Sequence, residues 1–562
     1  MSENLSLLSG RQGLERNLFE ELVDKARASG TPSPEDLSKL AQEYLMGPAI
    51  TYGAASFYDF LKPGNLGKKA FVCNGSTCLL AGTQDRVHDE LRKHLPEDAI
   101  GHMCCLGRCH ENGAFHFAGK NYSARSAEQI EQIVKGKSAE AIGKDSYHVA
   151  SNLRVPILVA AYPGTDSYFA AFSQALAKSP GELLEELKLS GLRGRGGAGF
   201  PMALKWEGCM KSPGAQKFIV CNADEGDPGA YSDRYLLEQR PHSVLFGMMI
   251  AGYITGANAG VLYIRAEYPE AVQNTADAVR ELEMAGYLGK NIKGSGFDFQ
   301  FKVIKGAGAY ICGEETALLS SLEGQRPEVR VRPPYPTVEG LFNKPTVVNN
   351  VETFASVHYI LGNGGQAYAS LGKGRSTGSK LVCLDGFFNR PGVYEVEMGT
   401  PLRTVIDEMG RGFREPIKAL HIGGPLGGLV PLSKIDDLDI SFESFSGQGF
   451  LLGHASIVCV PATYPLIRYL EHLFEFTAAE SCGKCFPCRL GSTRGRELLL
   501  KAQKEDYRID RQLFDDLLET MEIGSLCALG GGLPLSIRNA LQYFPDELKQ
   551  YFAENKAQAA SG

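Results

Sequence analysis

Tryptophan occurs once in the 562 residues, no run of lysine and arginine stands out, and the 58 basic residues are outnumbered by 65 acidic ones, leaving a formal charge of -7. Such a chain offers neither a cationic field nor a stacking platform, so nucleic acid and other polyanions are excluded as expected partners. A secretory leader is missing as well: MSENLSLLSGRQGLERN has no basic start followed by an apolar core and a small-residue cleavage site. That points to the cytoplasm. Uncharged stretches long enough for a membrane helix are also scarce. The one from Val244 to Ile264 carries Gly247, Gly252, Gly256, Asn258 and Gly260, and GANAG reads as a turn between a buried helix and the strand VLYIR. A turn inside hydrocarbon would leave backbone groups unpaired, so no membrane span is expected.

What the chain does have is length and apolar content. At 43% hydrophobic and 22% charged it can bury real cores, which excludes wholesale disorder, a collagen-like rod and a small disulfide scaffold. About three to five domains are expected at this length. SPEDLSKLAQEYL offers Ser33 as N-cap and Pro34 at the first helical position, with Leu37, Leu40, Ala41, Tyr44 and Leu45 as one apolar face, so residues 1–62 read as a helical bundle. From Lys69 the pattern becomes AFVC, TQDRVHDELRKHL, AFHFAG and SAEQIEQIVKG, a compact α/β unit of thioredoxin-like size over 63–140. Lys135 to His148 is polar and aperiodic and reads as a linker. Residues 141–374 alternate strands and helices and are rich in glycine, as in an α/β domain whose backbone approaches a ligand closely. KLVCLDG, PGVYEVEMG, LRTVIDEMG and IKALHIGG then follow the strand, strand, helix, strand order of a ubiquitin-like β-grasp, 375–460. The tail, 461–562, is helical, with Leu466, Ile467, Leu470, Leu473 and Phe474 on one face. The whole is a multi-domain α/β protein.

Fourteen cysteines in a reducing compartment are read as metal ligands or catalytic groups rather than disulfides. Cys73 and Cys78 enclose four residues, Cys105 and Cys109 three, and this set fits a 2Fe-2S centre with two thiolates to each iron. Cys482, Cys485 and Cys488 in ESCGKCFPCRLG, with Cys527 in GSLCALGGG, give C-x-x-C-x-x-C plus one distant cysteine, the spacing of a 4Fe-4S cubane. Structural zinc is the competing reading for both sets. Cys104, Cys209, Cys221, Cys312, Cys383 and Cys459 read as small buried hydrophobes.

Gly194, Gly196 and Gly199 in GLRGRGGAGFP satisfy G-x-G-x-x-G, but the segment before them is the amphipathic helix SPGELLEELKLSGL, not a buried strand, which argues against a Rossmann turn. The glycines still let backbone N–H groups approach a phosphate, with Arg195 and Lys205 as available charges. CNADEGDPGAYSDR places Asn222, Asp224, Glu225 and Asp227 within six residues, a density suited to vicinal hydroxyls. GAYICGEETALLSSLEG adds Tyr310, Glu314 and Glu315 at a helix start, where plain capping is the alternative.

Taken in order, GLRGRGGAGFP, CNADEGDPGAYSDR, YICGEETAL, KPTVVNNVETF and ESCGKCFPCRLG closely resemble the NADH-oxidising flavoprotein subunit of respiratory complex I, and the region with CNGSTC and CLGRC resembles its thioredoxin-like 2Fe-2S neighbour, here fused in front. Such fusions are similar to the diaphorase subunits of NAD-dependent formate dehydrogenases and NAD-reducing hydrogenases. The resemblance assigns Gly194, Gly196, Gly197, Lys205, Asn222, Asp224, Asn349 and Asn350 to FMN. It assigns Phe200, Glu225, Tyr310, Glu314 and Glu315 to the cleft between flavin and nicotinamide, with Glu225, Tyr310 and Glu315 nearest the chemistry. The chain departs from the family where glutamate becomes Asp227 and where a lysine before Pro-Pro-Phe becomes Arg332 before Pro333, Pro334 and Tyr335. Cofactors implied are FMN, NAD(H), one 2Fe-2S and one 4Fe-4S cluster. No cysteine-rich ferredoxin domain follows the cubane set, so electrons are expected to pass to a catalytic subunit holding molybdopterin (molybdenum or tungsten) or a nickel-iron site, formate dehydrogenase first. A non-catalytic electron relay and a different NADH:acceptor complex are the rival readings.

Overall fold

The computed structural model describes residues 14, 17–29, 32–65, 67–136 and 146–553. Most of the expected linker and most of the N-terminal stretch that lacks a leader pattern lie outside them. Helices α1 (Leu18–Ser29), α2 (Pro34–Glu43) and α3 (Pro48–Ala55) open the chain. Ser33 caps α2 as expected, its Oγ accepting from Asp36 N at 3.0 Å with Pro34 in the first turn. Leu45 departs from the expected face: the helix stops at Glu43, Leu45 takes a positive φ, and its side chain is exposed. The three helices share a small core of Leu18, Leu22, Leu37, Leu40, Tyr44, Ala54 and Ala55 and also lean on the large unit. Phe19 and Tyr58 pack on Tyr263 of the large sheet, and Asn17 Nδ2 donates to Leu322 O at 2.7 Å.

The small α/β unit is a four-stranded sheet in the order β2-β1-β3-β4, built from β1 (Ala70–Cys73), β2 (Ile100–Met103), β3 (Phe115–Phe117) and β4 (Lys120–Tyr122). β1 is buried along its length and delivers Cys73 at its carboxyl end, and α4 (Ser76–Leu80) returns Cys78 to the same end. Helices α5 (Gln84–Arg92) and α6 (Ala127–Val134) cover the sheet, α6 starting with a full capping box between Ser126 and Gln129.

The last residue of the expected linker, His148, opens a strand, β5 (His148–Ser151), whose partner lies far downstream. Then comes the large unit: α7 (Pro180–Ser190), α8 (Met202–Lys211), β6 (Phe218–Ala223), α9 (Ser232–Gln239), α10 (Pro241–Thr255), β7 (Ala259–Ile264), β8 (Gln300–Lys305), α11 (Glu315–Leu322) and β9 (Thr346–Asn350). Its sheet is wholly parallel, order β8-β7-β6-β9. Burial on both faces explains the continuous apolar runs: along β6 and β7, Phe218, Val220, Val261 and Tyr263 enter one core while Ile219, Cys221, Leu262 and Ile264 enter the other. α10 is the uncharged stretch noted above. It is buried, ends on Gly256 in the left-handed conformation and turns directly into β7. A methyl at Gly247 would overlap the Phe354 carbonyl, so the glycine permits close backbone packing. Among the described residues no helix is long and apolar enough to cross a membrane.

The next unit holds β10 (Ser379–Leu384), β11 (Gly392–Glu397), β12 (Ile417–Ile422), β13 (Gly428–Pro431) and β14 (Ser456–Pro461), in a six-stranded sheet of order β13-β12-β14-β10-β11-β5. β5 adds to its edge in parallel with β11, so the large unit is an excursion between the first and second strands of this sheet. The exposed residues of HVAS give an edge strand no apolar pattern to read. α12 (Leu466–Glu480), α13 (Phe486–Lys504), α14 (Arg511–Gly524) and α15 (Ala528–Tyr543) close the molecule, with the five apolar residues singled out on α12 all buried.

Candidate functional site

β7 and β8 lie to one side of β6, and β9 returns to its other side, so the strand order reverses between β6 and β9. In parallel sheets the crevice at the carboxyl ends of such a pair is where ligands bind. Asn222 and Asn350 are register partners there, as are Cys221 and Asn349. Asn222 Nδ2 donates to Gly313 O at 2.7 Å and Asn350 Nδ2 to Asp233 Oδ2 at 2.6 Å, while Asn349 Oδ1 accepts from Trp206 Nε1 at 2.8 Å. Each amide is thus held rigid at the rim of the crevice.

The glycine loop connects α7 to α8 and does not follow a strand, in keeping with its sequence context. It closes through Gly194 N to Phe200 O at 2.8 Å and Arg193 Nε to Gly199 O at 2.6 Å. A Cβ at Gly196 would sit 3.0 Å from Asn350 Cβ, and Gly197 (φ +120°) borders Gly453 and His454. Arg195 turns inward from the loop. Its guanidinium is buried, Nη2 donating to Thr377 O at 2.6 Å and Tyr368 OH at 3.1 Å while Nε and Nη1 have no protein partner, and its backbone N–H bonds Thr353 Oγ1, so the side chain pins the loop from behind. Lys205 remains at the crevice, its Nζ 3.0 Å from both Val348 O and Glu315 Oε2. Phe200 is exposed at the mouth.

Glu315 also receives Arg332 Nη1 at 2.9 Å. Glu314 accepts from Thr316 N and Ala317 N, both at 2.9 Å, so the capping role is real for this residue. Glu225 is likewise structural in its contacts: its carboxylate accepts from Ser232 Oγ, Asp233 N, Arg234 N and Tyr268 OH at 2.9–3.2 Å, fixing the start of α9 rather than facing the crevice. Tyr310 donates its hydroxyl to Asp227 Oδ1 at 2.6 Å and its N–H to Glu480 Oε2 at 2.9 Å. Burial, with Asp59 nearby, pushes the Glu480 carboxyl up to about 8. Asp224 keeps one buried oxygen, Oδ2, without a protein partner, and burial holds this carboxyl well above the usual range. The orphaned Asp224 oxygen, next to Gly313, and the glycine loop packed on Asn350 suit a hydroxylated, phosphate-bearing group such as FMN.

Both cysteine sets converge. Cys73, Cys78, Cys105 and Cys109 are buried, with Cys105 and Cys109 sulfurs 3.4 Å apart and the Cys73 thiol in hydrogen-bond contact with Cys78 and Cys105. The set is finished by the large unit: Gly229 N donates to Cys109 Sγ at 3.1 Å, Arg234 Nη1 to Gly107 O at 2.8 Å and Asn121 Nδ2 to Glu267 O at 2.5 Å. Cys485 caps α13, Cys488 lies in its first turn and Cys527 caps α15, so two helix starts bring them to Cys482 in one cluster. Burial pushes the thiols of Cys488 and Cys527 up to about 11 and 12. Metal binding deprotonates a coordinating thiol outright, whatever its pKa in the apo protein. All fourteen cysteines are free, and Cys209, Cys221, Cys312, Cys383 and Cys459 are buried as small apolar residues, with Cys104 less so.

Several contacts had no signal in the sequence. His454 stands in ordinary surroundings there, whereas Arg193 lies inside the glycine motif and Glu480 opens the cubane motif, and neither motif marks them out.

A parallel-sheet crevice with a flavin-type cradle, set between two tetracysteine sites, defines a flavin and iron-sulfur oxidoreductase of the NADH dehydrogenase type. Three family models match the chain: the Nuo51 FMN-binding domain over residues 187–359, the NADH-ubiquinone oxidoreductase-F iron-sulfur binding region over 468–551, and the thioredoxin-like [2Fe-2S] ferredoxin over 8–138. The NADH-quinone oxidoreductase F 2 subunit of Rhizobium meliloti is 39% identical over 69% of this chain and 93% of its own. The HndC subunit of the NADP-reducing hydrogenase of Solidesulfovibrio fructosivorans is 40% identical over 70% and 80%. A chain of an NAD+-reducing [NiFe]-hydrogenase, solved in its H2-reduced state, superposes with a TM-score of 0.85 at 28% identity over 97% of this chain and 96% of that one. The protein belongs to the family of NADH-quinone oxidoreductase F subunits, here fused to the thioredoxin-like 2Fe-2S module. Its cofactors are FMN, one 2Fe-2S and one 4Fe-4S cluster, and it acts on NAD(H).

Proposed function

We propose that this chain is the NAD(H)-linked flavin subunit of a larger complex, exchanging electrons with a separate catalytic subunit. The observation that carries the reading is the crevice at the β6/β9 reversal with a tetracysteine site on either flank, all in one chain. FMN, when bound, supplies the passage between two-electron hydride chemistry and one-electron transfer. The protein's part is orientation. Gly194, Gly196 and Gly197 let the backbone approach the phosphate, Lys205 supplies the charge, and Asn222, Asp224, Asn349 and Asn350 hold the flavin's polar edge and ribityl hydroxyls. Phe200, Asp227, Tyr310 and Glu315 face the dinucleotide. Cys73, Cys78, Cys105 and Cys109 ligate the 2Fe-2S centre; Cys482, Cys485, Cys488 and Cys527 ligate the cubane. Carboxylates near the adenosine ribose would repel a 2'-phosphate, which favours NAD over NADP.

For the partner, formate dehydrogenase is the first reading, on the fused form with both cysteine sets intact. The likeness along nearly the whole chain to a component of a nickel-iron hydrogenase makes hydrogenase the second. Fourteen free cysteines support a cytoplasmic setting. Affinity purification from the native host, followed by metal analysis, separates these readings. Molybdenum or tungsten supports the first and nickel the second. A chain that purifies alone with full quinone reductase activity contradicts the need for a partner.

A further inference from the structure

Asp227 is where the sequence departs from its family by one methylene, and the structure gives its carboxylate a second holder. Two loops of the β10–β14 unit close over it. One is Gly423–Gly424: a Cβ at Gly424 would lie 2.5 Å from Asp227 Cγ. The other carries His454, whose Nε2 lies 2.5 Å from Asp227 Oδ2 while Tyr310 OH occupies Oδ1 at 2.6 Å. His454 also borders the flavin loop at Gly197. One carboxylate is therefore clamped from both sides at the inner end of the crevice. We infer that His454 is a positioning residue for the nicotinamide end of the site, and that its ionisation sets the preference for NAD+ over the reduced dinucleotide.

The nicotinamide ring is cationic in NAD+ and uncharged in NADH. With His454 protonated, the His454–Asp227 pair is neutral toward that ring. With His454 deprotonated the pair carries one negative charge, which attracts the oxidised ring and is indifferent to the reduced one. The charged groups around the imidazole are Asp227 and Glu225 from the large unit and Lys380 from β10, itself paired with Glu352. Burial and Lys380 work against the proton, but the Asp227 carboxylate 2.5 Å away, with Glu225 behind it, outweighs them and raises the His454 imidazole above the ordinary histidine range.

The inference rests on Asp227 being a dinucleotide contact, and the test separates the two. Binding to the flavin-loaded protein is measured by calorimetry for NAD+ and for tetrahydro-NAD, whose ring is uncharged and gives no hydride, from about pH 6 to about pH 9. In the wild type the preference for NAD+ should rise roughly tenfold across that range. His454→Gln should keep its flavin and show a flat preference. A flat wild-type profile, or a His454→Gln variant that keeps the rise, overturns the role of His454. Glu480 behind Tyr310 titrates in the same range, so if the Gln variant fails to hold flavin, His454→Asn is measured in its place, and a rise that persists there overturns the role of His454. Asp227→Asn should weaken both ligands and abolish the pH response. If Asp227→Asn binds both as the wild type does, it is the reading of Asp227 as a dinucleotide contact that falls.

Discussion

Glu315 stands between two cations, Lys205 from the flavin side and Arg332 from the mouth, and its carboxylate pairs with both. Glu315→Gln preserves the shape and one acceptor while removing that charge. The variant should retain FMN and lose roughly tenfold or more of kcat/KM for NADH-driven dye reduction, as read from steady-state kinetics beside flavin absorbance. Loss of the flavin would place the residue in flavin binding, and full activity would remove it from the site. Glu225 is the contrasting case. Four donors meet its buried carboxylate, so Glu225→Ala should cost on the order of 2–4 kcal/mol in thermal unfolding, whatever it does to turnover. From the sequence the two glutamates look alike, each in an acidic motif beside glycine. What separates them is the direction of the side chain. The same limit explains Arg195, whose place in a glycine loop was legible and whose inward turn was not.

Among the elements, α10 shows how far composition carries. Its run without charge, ended by glycine and asparagine, read as a buried helix turning into a strand, because such a run must be covered on every side and must stop at a left-handed residue. The glycines within it answer to a neighbour the sequence does not place. Gly247→Ala should meet the Phe354 carbonyl and destabilise the large unit by about 1–3 kcal/mol, measurable as a lower melting temperature with early loss of flavin. An unchanged melting temperature would mean that the two backbones can part without penalty. β5 was illegible for the opposite reason: an exposed edge strand of four residues has no alternating face, and its partner is more than two hundred residues away. The α2 cap at Ser33 and the apolar face of α12 were legible because both are local.

At the scale of the whole molecule, the cysteine spacing and the order of motifs were enough to name the redox centres, since ligand sets tolerate little variation in spacing. How the units close on one another was not available from sequence. Gly229 of the large unit bonds Cys109 of the small one, and His454 of the last sheet reaches Asp227, so two of the three candidate centres are finished by a residue from another unit. The central claim, that one chain joins a flavin crevice to two separate iron-sulfur centres, is tested most directly by counting iron and flavin in the purified wild type beside Cys73→Ser and Cys482→Ser, with EPR of the reduced proteins. The account predicts about six irons and one FMN in the wild type with two distinct signals, one lost in each variant while the other persists. About four irons in the wild type, with no signal lost in Cys73→Ser, would contradict it.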